Sequence, residues 1–222
     1  MAATEDTVKH NKTLSKALSW LLRHHLDLVS EISKEPIDPS GFVDVEHVLQ
    51  LPRFAGYTMA QVEQVVKLND KQRFSLRSSP TTEGRLQIRA NQGHTMKEIE
   101  PDLKKMEEPF AVETIVHGTY EKFWPSIEKT GLSRMKRNHI HFAKGLPGES
   151  GVISGMRHDC NVHIFVHMPT AIQAGFEFFQ SANGVILCPG DENGRLPATL
   201  FAKVIRKKEP RKKKETKVKD QT

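Results

Sequence analysis

The chain has 222 residues, with 33 Lys and Arg against 27 Asp and Glu and a formal net charge of +6. The surplus is concentrated: residues 206–222 hold nine Lys/Arg and three Asp/Glu, leaving 24 of each sign before them. Overall basicity therefore describes a solvated tail and not a folded nucleic-acid surface.

No run approaches the ~18 apolar residues of a membrane helix. The N-terminus MAATEDTVKHNK has the pattern of neither a secretory signal nor an Arg-rich transit peptide. Two cysteines, Cys160 and Cys188, cannot build a disulfide framework. An intracellular protein, cytoplasmic or nuclear and without a membrane partner, is expected.

The first periodic segment is 13–26, where Leu14, Ala17, Leu18, Leu21 and Leu22 form an apolar stripe of helical period. Arg23 points roughly opposite that stripe, with His24 at its flank. The turn Ser40–Gly41 leads into a short helix carrying Val45, Val48 and Leu49, interrupted at Pro52 and Gly56. A third helix starts at Thr58, with Gln61 at capping-box spacing and Met59, Val62, Val65 and Val66 on its buried face. Two alternating runs, 73–77 and 85–90, flank a turn-rich stretch and predict a hairpin. Three helices and a hairpin is the order of a winged helix, and also of plainer helical modules.

Residues 95–109 read as a charged linker. Beyond it come a short strand at 114–116, a helix through Phe123 and Ile127 stopping at Gly131, and strands at 138–142, 162–168, 184–187 and 200–205. These predict an α+β second half built around a sheet.

Several residues could carry chemistry. Arg23-His24-His25 either complements a helix C-terminus or reaches a phosphate. Lys71 and Arg73, on one face of a strand, would clamp a phosphate monoester, or would simply end a solvated strand. Arg137, His139 and His141 would share one strand face as a ligand-facing wall. His158, Cys160, His163 and His167 match no closed zinc spacing, so no metal is expected. GxxxxGK[ST] and GxGxxG are both missing from the sequence.

The strings LSKALSWLLRHH, NDKQRF, RANQGH, HGT at His117–Thr119, RNHIHFA and GVISGMR come in order over Leu14–Ile205. Together they resemble the KptA-type tRNA 2′-phosphotransferases. The resemblance implies an N-terminal winged-helix RNA lobe and a C-terminal ADP-ribosyltransferase-like lobe with a split β-sheet. The implied boundaries are a flexible N-terminus at 1–12, the RNA lobe at 13–95, a linker at 96–109, the NAD lobe at 110–206 and a basic disordered tail at 207–222.

The implied reaction removes the internal 2′-phosphate left at a tRNA splice junction. The phosphate attacks the nicotinamide ribose of NAD, and transesterification of the ADP-ribosylated phosphate then yields 2′-OH RNA, ADP-ribose 1″,2″-cyclic phosphate and nicotinamide. NAD is consumed, no metal takes part, the partner is 2′-phosphorylated tRNA or another RNA, and a monomer is the default.

By resemblance Arg23, His24, Arg73 and Arg137 are catalytic, while Lys71, Arg73 and Arg23 hold the RNA phosphate. His117, Gly118, Thr119, Arg137, His141, Ser154, Gly155 and Arg157 line the NAD site. A near-neutral pKa would suit His24 as general acid. Two further readings stand beside this one: an ADP-ribosyltransferase acting on RNA phosphate ends, and a non-catalytic RNA-binding module.

Overall fold

A computed structural model describes residues 5–107, 112–149, 152–153 and 155–207. Its first half is nucleated by helix α1, Glu5–His24, whose stripe of Leu14, Leu18, Leu21 and Leu22 is fully buried. The helix begins before the apolar period does. Residues 5–12, expected to be flexible, are helical because His10 finds partners on the next layer: its ring lies 4.8 Å from Tyr57 and its Nε2 is 3.2 Å from Gln61 Nε2.

Helix α2, Asp27–Ser33, has no sequence-level forecast and ends at Lys34 in the left-handed region, φ 60°. Strand β1, Val43–Asp44, runs straight into helix α3, Val45–Gln50. Helix α4, Met59–Lys67, carries the expected capping box: Thr58 N–H donates to Gln61 Oε1 at 2.8 Å, and Gln61 N–H to Thr58 Oγ1 at 3.4 Å. Val62 and Val65 are buried, whereas Met59 and Val66 pack only partly. Strands β2, Phe74–Ser78, and β3, Leu86–Ala90, form the predicted hairpin with Phe74 opposite Ala90 and Ser78 opposite Leu86. Strand β1 joins β3 as a third strand, an addition that its two residues could not announce in the sequence.

The second half splits its strands between two larger sheets and a two-stranded pair, Leu132–Ser133 with Arg195–Leu196. Strand β4 is Lys104–Lys105, β5 Thr114–Thr119, β6 Leu132–Ser133, β7 Ile140–Phe142 and β8 Val162–His167. Strand β9 is Phe179–Gln180, β10 Ile186–Cys188, β11 Arg195–Leu196 and β12 Phe201–Arg206. One sheet has the order β12-β8-β5 and the other β4-β9-β10-β7. They are linked by a single bridge, with Val116 and Ala143 exchanging both backbone hydrogen bonds at 2.9 Å. Helix α5, Trp124–Thr130, stops at Gly131 as expected, and helix α6, Met168–Gln173, follows β8. The chain is thus α+β.

Each half has its own buried cluster, one drawn from residues 14–99 and the other from residues 115–196. The stretch expected to be a free linker is anchored at both of its described ends. Ile99 is buried in the first cluster, and β4 pairs with β9. The tail expected at 207–222 lies outside the described residues apart from Lys207.

Polar side chains join the halves. Asn138 Nδ2–H donates to Met96 O at 2.9 Å, Asn138 N–H donates to His94 O at 3.0 Å, and Asn183 Nδ2–H donates to Lys71 O at 2.9 Å. Asn138→Ala strands the Met96 carbonyl at this seam, so urea unfolding should show a loss of about 2 kcal/mol. An unchanged midpoint would mean that the seam contributes nothing to stability.

Candidate active site between the two halves

Four segments bring cations to the cleft between the halves. Helix α1 ends with Arg23 and His24. Arg23 lies across Gly93, where an added Cβ would sit 3.4 Å from the arginine Cδ and Nε. Glycine there, at φ +92°, lets the RANQGH turn pass beneath the guanidinium. The Arg23 carbonyl accepts from Thr95 N at 3.0 Å, which ties the helix end to the same turn.

Lys71 and Arg73 do not share a strand face, because β2 begins only at Phe74. A turn with Gln72 at φ 43° brings them together instead. Asn69 Oδ1 accepts from both the backbone N–H and Nη1 of Arg73, at 3.1 and 3.3 Å, so the guanidinium is aimed by a side-chain amide. The turn is locked by Asn91, whose Nδ2–H donates to Gln72 O at 2.8 Å. Lys71 Nζ reaches the other half and donates to Met156 O at 2.8 Å.

Arg137, His139 and His141 do not form one wall. Strand β7 starts at Ile140, and residues 137–139 are a bend. Arg137 is exposed, at a range where its charge acts on Arg23, His24 and His141. His139 lies away from that group, with its ring 6.1 Å from Phe179.

The electrostatics are one-sided. Burial is the first cause lowering the Arg23 pKa, and the charges of Arg137 and Arg73 add to it, giving about 10. Desolvation also lowers Arg73, Arg137 and Lys71. Arg157, exposed and bonded to Tyr120 Oη at 3.4 Å, adds positive field to Arg137 and Lys71. Among the described residues, no ion pair engages Arg23, Lys71, Arg73, Arg137 or Arg157. Asp70 and Asp159 act only at longer range. Clustered cations without an ion-paired carboxylate make a site for a multiply charged anion.

The imidazoles behave differently from the sequence expectation. His24 is held below its ordinary value by desolvation and by Arg23, so it is neutral at pH 7. The Thr95 hydroxyl donates to Arg23 O at 3.4 Å, so His24 Nδ1–H donates to Thr95 Oγ1 at 3.0 Å and Nε2 keeps the lone pair. His117 Nδ1–H donates to His141 O at 2.9 Å, and His141 Nδ1–H donates to His139 O at 3.0 Å. Burial depresses both, His141 well below its usual value, and His141 Nε2 is buried with no partner. Each neutral imidazole thus keeps its Nε2 as an acceptor.

The remaining expected residues are placed as follows. Thr119 is buried in β5. A Cβ on Gly118 would meet Met156 Cβ at 2.8 Å and Cys160 Sγ at 3.0 Å, and one on Gly155 would meet Ala143 Cα at 2.7 Å. Both glycines therefore allow the 155–160 segment to close over β5 and β7. Ser154 lies outside the described residues.

The chain matches the model of the RNA 2′-phosphotransferase, Tpt1 / KptA family over residues 9–190. That span reaches from the first turns of α1 to just past β10. The chain belongs to this RNA 2′-phosphotransferase family.

Relatives are correspondingly close. The chain is 46% identical to the tRNA 2′-phosphotransferase 1 of Mus musculus over 203 residues, covering 91% of this chain and 80% of that protein. It is 44% identical to that of Danio rerio, covering 88% and 85% of the two chains. It is 36% identical to the tRNA 2′-phosphotransferase of Saccharomyces cerevisiae, covering 89% and 84%. Every string that carried the resemblance begins inside the matched span of this 2′-phosphotransferase. Among the described residues no group of three or more His, Cys, Asp and Glu could hold a metal ion, and no helix is long and apolar enough to cross a membrane.

Sequence reasoning missed Asn69, Asn91 and Thr95, which hold Arg73, its turn and the end of α1, and the buried His94 near Arg23. The available signal was the run Asn91, Gln92, His94, polar residues directly after a strand and all buried. His94 is 3% exposed, and burial next to Arg23 and Arg89 drops its pKa from 6.5 to about 3. The unfolded phosphotransferase binds a proton there near pH 6.5 that the folded one refuses until about pH 3. This share of stability is full above the unfolded pKa and is lost as pH falls, by about 2 kcal/mol near pH 5. Denaturation midpoints of wild type and His94→Gln, compared at neutral and acid pH, should therefore converge as pH drops. Parallel curves would remove His94 from the acid sensitivity.

Proposed function

We propose that this protein removes the internal 2′-phosphate of RNA, as in the last step of tRNA splicing, with NAD consumed. The observation that carries this reading is the group of cations drawn from both halves, Arg23, Lys71, Arg73 and Arg137, which among the described residues have no ion pair to a carboxylate. The 2′-phosphotransferase names of the relatives supply the substrate class.

In this reading the first half is a winged-helix RNA lobe, supported by a hairpin completed by β1, and the second an ADP-ribosyltransferase-like lobe, supported by the two sheets joined at Val116 and Ala143. NAD supplies an electrophilic ribose carbon with nicotinamide as its leaving group. The residues present fit it: the orphaned acceptor of His141 and the ring of His117 suit ribose hydroxyls, with Thr119, Gly118 and Gly155 shaping the backbone beside them.

Arg73, aimed by Asn69, and Lys71 orient the phosphate dianion so that an oxygen faces the reacting carbon. Arg137 reaches the same phosphate from the other half, and Arg157 extends the positive field. Arg23 stabilises negative charge that builds on the phosphate in the transesterification. His24 starts neutral. The arriving dianion offsets the cations that depress it, raising its affinity for a proton that Nε2 can deliver to the departing RNA 2′-oxygen.

The test is a short RNA with one internal 2′-phosphate, incubated with and without NAD. Expected is 2′-OH RNA only with NAD, with one nicotinamide released per phosphate lost. Nicotinamide release with the phosphate retained would instead indicate ADP-ribosyl transfer to RNA ends. Tight RNA binding with no reaction would indicate a binding module.

A further inference from the structure

Helix α1 has a polar face of which the proposed reaction uses only Arg23. At about 100° per residue, Lys12, Lys16, Ser19 and Arg23 fall within about 60° of one another. They form a stripe that runs ~16 Å along the helix and ends on the proposed catalytic arginine. Beside it lies a groove of about 560 Å³ between α1 and the C-terminal end of α4, lined by Asn11, Lys12, Ser15, Lys16 and Ser19 on one side. Val65, Leu68, Lys71 and Arg73 also line it, with His158 from the second half. Leu68 is 55% exposed, an apolar surface left open to solvent.

Three observations make this groove a track leading to the proposed phosphate site. Lys12 and Lys16 are exposed, and among the described residues neither has an ion pair. They sit one turn apart on the same face, two positive charges in a row. The groove is also wired to the site, because Asn69 donates through Nδ2 to Ser15 Oγ at 3.3 Å while its Oδ1 holds Arg73. Asp70 is the one carboxylate lining the groove, and it lies at the Arg73 end.

We infer that the RNA strand on one side of the 2′-phosphate runs along this groove, with Lys12 and Lys16 contacting successive backbone phosphates and Leu68 packing against a sugar or base. Single-stranded RNA fits because its charge is periodic and its bases are free to rest on apolar surface. The first helix, and not only the hairpin, is then an RNA-binding element. This inference rests on the phosphate assignment of Arg73 and Lys71.

The test uses the full chain and a Lys12→Gln/Lys16→Gln double variant, which changes only exposed helix positions. Three RNAs are compared: a 2′-phosphorylated dinucleotide, and the same dinucleotide extended by several nucleotides on its 5′ or its 3′ side. One extension should tighten binding to the wild type, and the double variant should lose that gain. Two phosphate contacts to a single strand predict a slope of log K against log salt shallower by about 1.4, a loss of roughly 25-fold at 0.1 M relative to 1 M salt. Turnover of the dinucleotide should be unchanged.

Equal binding of all three RNAs, an unchanged salt slope, or an equal loss on the dinucleotide would overturn the track. So would polyglutamate competing as well as RNA. If the wild type fails to turn over the dinucleotide while the lysines still set the affinity for the extended RNA, the proposed reaction falls and the track stands.

Discussion

Arg73→Lys should lower turnover of a 2′-phosphorylated oligonucleotide by roughly 100-fold or more, a loss of the size seen when one positioned charge donor is removed from a transition state. The charge is conserved, but two other properties are not. Arg73 Nη1 is fixed on Asn69 Oδ1 at 3.3 Å, which leaves the rest of a planar fork facing the cleft. A lysine ammonium has donors enough but not the planar fork, so it cannot stay fixed on Asn69 while presenting two parallel donors to the phosphate. Positioning is what the substitution removes, so the loss should appear mainly in kcat, with KM for the RNA changed much less. Folding should be nearly unaffected, since the position is half-buried and the neighbouring strand core, Phe74 opposite Ala90, is untouched. Wild-type turnover in the lysine variant would break the clamp. A large rise in KM alone would make Arg73 a docking contact.

How much of this was legible in the sequence depends on the range of the interaction that decides each element. Local rules worked where they are self-sufficient: the capping box at Thr58 and Gln61, the stop at Gly131 and the leucine stripe of α1 all appear as expected. They failed where a distant partner decides. Residues 5–12 look like a polar tail, yet Tyr57 and Gln61 give His10 a surface that makes a further helical stretch worthwhile. Strands of two residues, such as β1, β4, β9 and β11, exist because a partner strand is present and leave no periodicity to read.

The candidate site shows the same division. Arg23, His24, Arg73 and Arg137 could be named because each lies in a string that resembles the family, and the family match covers all of them. Their surroundings could not be named. Alternation put Lys71 with Arg73, and Arg137 with His139 and His141, on strand faces, whereas a left-handed residue at Gln72 and a bend at 137–139 break both patterns. The protonation of His24 was invisible for a related reason. Burial lowers its pKa first, then the charges of Arg23, His25 and Arg137, and both the burial and Arg137 depend on distant parts of the chain.

Arg23→Met should make the protein more stable and nearly inactive at once. Arg23 is held with its Nε buried and unpartnered, facing Arg137 and Arg73, and its pKa falls from 12.5 to about 10. At 1.36 kcal/mol per unit, keeping that guanidinium charged in the folded state costs roughly 3 kcal/mol before relaxation. Methionine retains an unbranched stem to cover Gly93, where the arginine Cδ now lies 3.4 Å from the Cβ position, and it removes the charge. Unfolding free energy should therefore rise by about 1–3 kcal/mol, while turnover falls by roughly 100-fold or more. Inorganic phosphate separates this from a simple repacking gain. In the wild type the anion supplies the missing counter-charge and should raise Tm in proportion to its occupancy. In Arg23→Met most of that rise should vanish, because part of the demand for an anion has gone. A variant less stable than wild type would mean that Arg23 is net favourable where it sits, and full turnover would mean that its charge is not used. The arrangement assigned here requires the opposite of both, since a site poised for a dianion carries its repulsion until the dianion arrives.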